Sequence, residues 1–273
     1  MTEDWLALNR ANWDERVAVH LGPAGYDLAP LRAGRGRLDA ITEAELGPVA
    51  GLRVLHLQCH FGKDSLVLAS RGADVTGLDF SGAAIDAARH LAAELGLPAR
   101  FVQAAVHEVP SALPDPSAFD LVFTTWGTVT WLPDLDVWAN AVAHVLRPGG
   151  TLYFADAHPV AYVFDDMAGR DADGRPGWFM PYFNGAPLVL DDPTDYADPA
   201  ARLANARQVN WLHPLSSILG ALQGAGLRLD WLHEHPRLTW QMFRALVPDA
   251  DGMWAWPDRP WLPLSISLRA VRT

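Results

Sequence analysis

Short apolar runs alternate with helical patterns through the middle of the chain, from residue 51 onwards. Five such runs predict strands, over residues 53–57, 74–78, 100–103, 119–124 and 151–156. Apolar positions at helical spacing predict helices between several of them, over residues 63–70, 81–95 and 135–146, and glycine or proline follows each. Strands that alternate with helices form a parallel sheet with crossover helices. The pattern therefore predicts an α/β fold built on a doubly wound parallel sheet.

The first 50 residues have a different pattern and precede the sheet. Residues 3–20 carry apolar residues at roughly helical spacing with charges between them, which predicts an amphipathic helix. Residues 21–40 are rich in glycine, proline and arginine, and we expect a loop. Thr42 is predicted to begin a short capped helix that ends at Gly47. We expect this segment to lie against the sheet rather than to join it.

Two stretches after the fifth predicted strand lose periodicity and are interpreted as insertions, residues 157–210 and 236–263. The first is rich in proline, glycine, aspartate and aromatic residues, and the second is rich in tryptophan and proline. A further helix and two further strands are predicted around the second insertion, over residues 215–223, 227–233 and 264–271. We interpret residues 1–273 as a single elaborated domain with residues 51–156 as its core.

Composition limits the expected partners of the protein. Its 273 residues, half of them hydrophobic, can bury a substantial core. With 21 Lys and Arg against 32 Asp and Glu, the net charge of −11 repels nucleic acid and anionic membranes. The single cysteine, Cys59, cannot form an internal disulfide or a multi-cysteine metal site. The start of the chain lacks a secretory pattern and no long apolar run follows, so a cytosolic protein without metal, nucleic acid or membrane is expected.

Two segments at the ends of predicted strands carry candidate ligand-binding groups. In an open parallel sheet, ligands bind beyond the carboxyl ends of the strands. The turn of residues 58–62 follows the first strand and opens a helix, whose free N–H groups favour an anionic or electron-rich ligand. Asp79 follows the second strand about 20 residues later, where a carboxylate can accept the hydroxyls of an adenosine ribose. The alternative role of Asp79 is a helix cap.

Four segments together resemble class I S-adenosylmethionine (SAM) dependent methyltransferases. They are Val-Leu-His-Leu-Gln-Cys-His-Phe-Gly at 54–62, Val-Thr-Gly-Leu-Asp-Phe-Ser at 75–81, Phe-Asp-Leu-Val at 119–122 and Leu-Arg-Pro-Gly-Gly at 146–150. The resemblance implies a Rossmann-like seven-stranded sheet whose last strand is antiparallel. It also implies SAM as methyl donor and S-adenosyl-L-homocysteine as product. The Leu-Gln-Cys-His-Phe-Gly turn is similar to that of a subgroup that acts on small molecules.

By this resemblance, the turn after the first strand passes the methionine part of SAM, at Gln58, Cys59, His60 and Gly62. The family turn usually carries three glycines after an acidic residue, whereas here only Gly62 remains and His56 replaces the acid. We interpret this difference as subfamily variation, and a degenerate turn that does not bind SAM is the alternative. His60 is either a cofactor contact or an ordinary loop residue. Cys59 fits a small buried filler better than a nucleophile.

The resemblance assigns the rest of the cofactor to the next strand ends. Asp79 would hold the ribose and Phe80 would pack on the adenine, to which Val106 would offer backbone contacts. Thr124 and Thr125, at the end of the fourth strand, would pass near the sulfonium.

Two aromatic residues of the N-terminal segment, Tyr26 and Trp13, are candidates for a lid over the cofactor. The lid would comprise residues 1–50, and a plain packing role for both rings is the alternative.

The acceptor is expected to be an oxygen or nitrogen of a small molecule. His158, at the end of the fifth strand, is the leading candidate for a general base, and its alternative role is to turn the chain before Pro159. A pocket lined with rings from the insertions would suit an apolar or aromatic acceptor or an amine. The candidate rings, each with core packing as the alternative, are Trp126, Trp131, Tyr162, Trp178, Tyr182, Phe183, Trp211, Trp240, Trp254 and Trp256.

Two other functions remain open from the sequence. One is a SAM-binding protein that does not transfer a methyl group. The other is a nicotinamide-dependent oxidoreductase, which would need a Gly-x-Gly-x-x-Gly turn that residues 58–62 lack. The sequence leaves the oligomeric state and the identity of the acceptor open.

Overall fold

A seven-stranded sheet lies at the centre of the protein, in a computed structural model that describes residues 4–273. The strands of the chain are β1 (Arg53–Leu57), β2 (Asp74–Asp79), β3 (Ala99–Gln103), β4 (Phe119–Thr125), β5 (Leu146–Ala157), β6 (Phe164–Arg170), β7 (Pro176–Trp178), β8 (Leu188–Asp191), β9 (Arg207–Asn210), β10 (Leu227–His235), β11 (Arg237–Leu238), β12 (Val247–Pro248), β13 (Trp254–Ala255) and β14 (Ser265–Arg272). The helices are α1 (Trp5–His20), α2 (Ala29–Arg32), α3 (Ala40–Glu45), α4 (Lys63–Ser70), α5 (Gly82–Leu95), α6 (Val109–Ala112), α7 (Leu135–Val145) and α8 (Leu215–Gly224).

The strand order of the central sheet is β10-β14-β5-β4-β1-β2-β3. Strands β1 to β5 run parallel, and β14 runs antiparallel to both β5 and β10. The predicted α/β fold, with a Rossmann-like seven-stranded sheet and an antiparallel last strand, is confirmed. The strand order reverses between β1 and β4, which is where open sheets of this kind bind their ligands.

Helices cover both faces of the sheet and create two cores. On one face, Leu55 and Phe154 pack with the fully buried Trp138 of α7. On the other face, Val75 packs with Ile85 of α5. Burial of a side chain of this size contributes about 1.5–3 kcal/mol. Because the sheet is covered on both faces, its strands consist of nearly continuous apolar runs, as the sequence pattern indicates.

Capping residues explain where two of the helices begin. The Ser81 side chain caps α5 by accepting a hydrogen bond from the N–H of Ala84 at 3.0 Å. Helix α3 begins at Ala40 because Asp39 Oδ1 accepts a hydrogen bond from the N–H of Thr42 at 3.0 Å. The prediction that Thr42 begins this helix is therefore wrong, since the extended Asp39 offers a carboxylate in the capping position.

Helix α1 buries polar side chains rather than the apolar stripe that its sequence pattern indicates. Its buried residues include Asn9, Asn12, Arg16 and His20. Asn9 exchanges two hydrogen bonds of 2.8 Å with the backbone of Val209 in β9. The predicted helix is present over the described residues, and its packing depends on hydrogen bonds to the first insertion.

Both insertions contain short strands that the sequence pattern did not predict. Strands β6 with β7 and β8 with β9 form two hairpins, and β11, β12 and β13 form a small sheet. Runs this short have too few positions to establish an alternating pattern. Across residues 4–273, no helix combines the length and apolar character needed to cross a bilayer.

Candidate functional site

The turn of residues 58–62 leaves β1 in a backbone conformation that normally requires glycine. Gln58, His60 and Gly62 have φ angles of +60°, +50° and +75°, in the left-handed region that other residues rarely adopt. A Cβ atom at Gly62 would come within 2.7 Å of the Phe101 ring, so glycine is required there. Gln58 and His60 hold the same conformation at a cost on the order of 1–3 kcal/mol each. The turn thus keeps the geometry of a glycine turn and adds two polar side chains.

Two side chains of this turn are held by their surroundings. Gln58 Nε2 donates a hydrogen bond to the carbonyl oxygen of Thr128, 3.0 Å away. Cys59 is buried, and burial together with the nearby Asp79 carboxylate raises the pKa of its thiol well above the ordinary value. A thiol that stays protonated is a poor nucleophile, so Cys59 fits the role of a packing residue.

Asp79 joins the turn after β1 to the start of α5. Its Oδ2 accepts a hydrogen bond from the N–H of His60 at 2.8 Å, and its Oδ1 accepts one from the N–H of Ser81 at 2.9 Å. The residue is 6% exposed, and burial raises its pKa to about 6. The helix-cap alternative for Asp79 is wrong, because Ser81 occupies the capping position of α5. The carboxylate retains acceptor capacity beside the turn.

Phe80 and Val106 lie in the adjoining loops that follow β2 and β3. The N–H of Ala104 donates to the carbonyl oxygen of Asp79 at 2.9 Å, which holds the two loops together. Val106 is buried and begins the short 3₁₀ turn Val106–Glu108, whereas Phe80 is partly exposed. The two candidate adenine contacts are thus on neighbouring loops at one edge of the sheet.

Thr124 and Thr125 end β4, the strand beside β1. Both residues are buried, and neither hydroxyl has a hydrogen-bond partner among residues 4–273. In the turn after β1, Gln58 Oε1 and His60 Nδ1 are also buried and have no hydrogen-bond partner among the described residues. An unpaired buried polar atom costs about 1–3 kcal/mol. These atoms lie at the carboxyl ends of two adjacent strands, where a polar ligand could pair with those that face it. Thr124 and Thr125 are consecutive in β4, so their side chains point to opposite faces of the sheet.

The loop after β4 takes its conformation from Asp156 on β5. The Asp156 carboxylate accepts hydrogen bonds from the N–H groups of Gly127, Thr128 and Val129 at 2.7, 2.8 and 3.2 Å. Burial raises the pKa of this carboxyl group, and the hydrogen bonds oppose that shift. The loop then presents the Thr128 carbonyl oxygen to Gln58, so Asp156 acts on the turn through the loop.

Aromatic rings from α1 and the following loop cover the turn. The Trp13 ring lies with its centroid 5.2 Å from that of His60 and 5.2 Å from that of Trp131. On the other side, the Tyr26 ring lies 5.3 Å from the ring of Phe61. The segment that the sequence suggested as a lid therefore contacts the candidate cofactor turn directly.

Three ionisable side chains form a hydrogen-bonded row that ends at the turn. His20 Nδ1 lies 2.8 Å from His60 Nε2, and His20 Nε2 lies 3.1 Å from Asp195 Oδ2. Arg16 pairs with the same carboxylate oxygen at 2.7 Å. Sequence reasoning missed His20 and Asp195, because they are separated by 175 positions and neither belongs to a local motif.

His158 lies at the end of β5, and one of its ring nitrogens is hydrogen-bonded. Nδ1 accepts a hydrogen bond from the N–H of Val160 at 3.0 Å. Nε2 lies 2.9 Å from Glu234 Oε1, an ion-pair contact without hydrogen-bond geometry. Burial lowers the pKa of His158, and Glu234 opposes the shift. These contacts support the role of turning the chain before Pro159, and they do not favour a free base.

The candidate ring residues have different surroundings. Trp178 and Phe183 are 79% and 80% exposed, so they project from the surface. Trp256 packs on Phe243 in the small core of the second insertion, with Trp240 and Trp254 beside it. Trp131 contacts the Trp13 ring over the turn, and Trp211 lies 5.4 Å from the ring of Trp5 at the start of α1. Trp126 Nε1 donates a hydrogen bond to Asp39 Oδ2 at 2.9 Å.

Comparison with known proteins connects this site to one family. Residues 54–150 match the family described as a methyltransferase domain. The chain is 33% identical over 141 residues to the ubiquinone biosynthesis O-methyltransferase of Alkalilimnicola ehrlichii, which covers 51% of this chain and 53% of that protein. It is 36% identical over 119 residues to the protein of the same name from Photorhabdus laumondii, covering 44% and 48%. The chain thus spans about half the length of the curated relatives it matches.

Solved structures with similar folds are more distant in sequence. A SAM-dependent methyltransferase from Mesorhizobium loti matches with a TM-score of 0.57 and 23% identity, over 85% of this chain and 96% of that one. A SAM-dependent methyltransferase from Methanosarcina mazei matches with a TM-score of 0.55 and 18% identity, over 86% and 98%. A [4+2]-cyclase, SpnF, also matches, with a TM-score of 0.51 and 17% identity over 87% and 83%. At these identities the likeness shows the fold alone.

Proposed function

We propose that this chain, whose residues 54–150 are a methyltransferase domain on the class I SAM-dependent methyltransferase fold, transfers a methyl group from SAM to a small-molecule acceptor. The main observation in support of the proposal is the set of polar groups at the carboxyl ends of β1, β2 and β4. Asp79 stands beside the turn of residues 58–62, and unpaired buried atoms of Thr124 and Thr125 lie on the neighbouring strand.

The proposed cofactor contacts are those that the sequence suggested. Asp79 accepts the ribose hydroxyls, and Phe80 and Val106 flank the adenine. The methionine part of SAM lies along Gln58, Cys59, His60 and Gly62. Thr124 and Thr125, at the end of β4, complete the site. Tyr26 belongs to the segment that covers the site. When bound, SAM supplies a methyl group already activated on a sulfonium, and S-adenosyl-L-homocysteine remains.

The work of the protein is then to align the acceptor and to exclude water. Helix α1 supports this role. Its Trp13 ring packs against His60 in the turn, and its residues Arg16 and His20 are bound to Asp195. We propose that residues 1–50 act as a lid over the cofactor. The acceptor would enter beside Trp13 and Trp131, whose rings suit a flat or apolar molecule.

An oxygen atom is the favoured site of methylation. The two relatives, each matched over about half of its length, are named O-methyltransferases. A nitrogen remains the alternative. The net charge of −11 argues against nucleic acid and anionic membranes as partners. With a single buried cysteine, a cytosolic location stays our prediction.

A SAM-binding protein without methyl transfer is the second candidate. The fold likeness to a [4+2]-cyclase favours keeping it, because fold alone does not determine the reaction. A nicotinamide oxidoreductase is less well supported, since the turn after β1 lacks the Gly-x-Gly-x-x-Gly pattern.

The test is calorimetric titration with SAM, S-adenosyl-L-homocysteine and NAD. We expect SAM and its product to bind with micromolar or better affinity and NAD not to bind. Asp79→Ala should weaken SAM binding by about 1–3 kcal/mol through lost charge-assisted hydrogen bonds. Asp74→Asn, at the exposed opposite end of β2, is the matched control and should leave affinity unchanged. Binding of NAD instead of SAM would contradict the proposal.

A second measurement separates catalysis from binding alone. Phenols, hydroxy acids and amines are screened with SAM, and formation of S-adenosyl-L-homocysteine is measured. Turnover with one of these classes supports methyl transfer to a small molecule. SAM binding without turnover on any class would favour the SAM-binding alternative.

A further inference from the structure

The row of Asp195, His20 and His60 connects three separate parts of the chain. Asp195 lies in the loop between β8 and β9, His20 ends α1, and His60 lies in the turn after β1. Both joining distances, 3.1 Å and 2.8 Å, are those of hydrogen bonds. Asp195 and His20 are buried, so the row is shielded from solvent up to the turn.

The carboxylate sets the tautomers along the row. An ionised Asp195 can only accept, so the proton between it and His20 must be on His20 Nε2. His20 Nδ1 in the neutral ring is then an acceptor, and the proton in the second hydrogen bond must be on His60 Nε2. His60 Nδ1 is left with a free lone pair.

The surroundings of the row keep Asp195 ionised and His60 neutral. Burial opposes ionisation of Asp195, but hydrogen bonding from His20, the N–H of Ala197 and the charge of Arg16 outweigh it and lower its pKa to about 2. Burial lowers the pKa of His60 well below its ordinary value. His60 is therefore in its basic form at neutral pH.

The free nitrogen of His60 lies within the site. Nδ1 is buried and has no hydrogen-bond partner in the described part of the chain, residues 4–273. The His60 ring packs against Trp13, which packs against Trp131 in the loop after β4. His60 also holds its left-handed backbone, φ +50°, at a position where glycine would avoid the strain. A residue other than glycine in this strained backbone, beside a candidate ligand site, motivates a functional role.

We propose that His60 Nδ1 is the proton acceptor for the hydroxyl group that is methylated, with His20 and Asp195 as positioning residues. This inference rests on the proposed function. The O–H bond of the acceptor breaks, its proton passes to Nδ1, and the electron pair stays on oxygen. The cationic ring keeps its Nε2 hydrogen bond to His20, whose own proton is held by Asp195. Release of the Nδ1 proton to water restores the neutral ring.

The first test reads the tautomers directly and needs no acceptor. Histidine ring ¹⁵N resonances are assigned by single-histidine substitution and recorded for the full chain at neutral pH. We expect Nε2 protonated and Nδ1 unprotonated in both His20 and His60. Asp195→Asn removes the charge that orders the row, so both tautomers of His60 should then appear. A wild-type His60 protonated on Nδ1 would overturn the proposal.

A matched control separates this row from a general effect of lost charge. Glu234→Gln removes the carboxylate beside His158 and does not touch the row. The ¹⁵N resonances of His60 should be unchanged in that variant. If the ¹⁵N resonances of His60 change in Glu234→Gln as they do in Asp195→Asn, Asp195 does not determine the tautomer of His60 through the row.

The second test uses His60→Gly, which suits the left-handed backbone and should fold. With an acceptor identified by the screen, kcat at saturating SAM should fall about 100–10,000 fold. SAM affinity of the variant is measured separately by calorimetry, so that a lost cofactor contact is distinguished from a lost base. Added imidazole should restore part of the turnover, because it can occupy the space of the missing ring. His90→Ala, at an exposed position of α5, is the control for turnover.

The outcomes distinguish this inference from the function on which it rests. If the wild-type chain fails to bind SAM, the proposed function fails. If the wild type binds SAM and turns over an acceptor but His60→Gly retains full kcat, only the inference fails. A large loss of turnover in His158→Gln with none in His60→Gly would identify the other histidine as the base.

Discussion

Gln58 Nε2 lies 3.0 Å from the carbonyl oxygen of Thr128, and this hydrogen bond joins the turn after β1 to the loop after β4. The position of that carbonyl depends on Asp156, which accepts a hydrogen bond from the N–H of Thr128. The two strand ends that define the site are therefore connected through one buried carboxylate on a third strand.

Asp156→Asn should destabilise the protein by about 1–3 kcal/mol. Backbone N–H groups of Gly127, Thr128 and Val129 converge on the carboxylate, and an amide would place a donor against one or more donors. Urea unfolding of the two proteins measures the difference. Asp115→Asn, in an exposed loop, is the control and should unfold with the wild type. Equal midpoints for Asp156→Asn and the wild type would contradict this role.

SAM affinity should rise as the pH increases through about 6, the value to which burial raises the pKa of Asp79. The ribose hydroxyls donate to the ionised carboxylate, so below that pH binding must displace a proton. Affinity then falls by up to about tenfold per pH unit. Calorimetry at pH 5, 6 and 7.5, in buffers of different ionisation enthalpy, measures both affinity and proton release. Asp79→Asn should remove the dependence, and a persistent dependence in that variant would assign it to another group.

The same pKa has a consequence for stability. The folded-state pKa of Asp79 is raised from the ordinary 3.8 to about 6, so the folded protein holds a proton that the unfolded chain releases between these values. This contribution to stability is present below about pH 4 and is lost as the pH rises through about 6. Asp79→Asn should therefore flatten the pH dependence of the unfolding free energy in this window.

Gly62→Ala should destabilise the fold by about 1–3 kcal/mol. The added Cβ would approach Phe101 to 2.7 Å, in a backbone with φ +75°. Gly220→Ala is the matched control, because its Cβ would meet nothing within 4 Å on helix α8. There the change should stabilise by roughly 0.5–1 kcal/mol, since alanine favours helix. Thermal unfolding of both variants checks the opposite signs.

Amide hydrogen exchange in helix α1 should slow when SAM binds. We expect this because Trp13 and His20 contact the ring of His60 in the cofactor turn. Mass spectrometry of exchange with and without SAM measures the change, with α8 as the internal reference. Equal protection in both states would indicate that α1 is a fixed part of the fold rather than a lid.

The sequence predicts the central fold well because its signals are local. Apolar runs and the glycine-ended helices each act within a few residues. The seven-stranded sheet with its antiparallel last strand is implied by the family resemblance rather than by these local signals. The position of Asp79 at the end of β2 follows in the same way.

The row that ends at His60 could not be predicted, because its bonds join residues that are distant along the chain. Asn9 and Arg16 also look like solvent-facing residues in the helical pattern of α1, yet both are buried by partners in the first insertion. Hydrogen-bond partners of this kind do not recur at a fixed spacing, so neither composition nor spacing predicts them.

The polar buried face of α1 makes the docking of this helix specific in register. An apolar stripe tolerates a shift along its neighbour, because one methyl group replaces another at little cost. Asn9 and Arg16 each need one partner, Val209 and Asp195, and a shift of one helical turn would leave donors and a buried charge unpaired. For the proposed lid we therefore expect cooperative closure, in which the helix docks with its hydrogen bonds made together and partly docked positions are disfavoured.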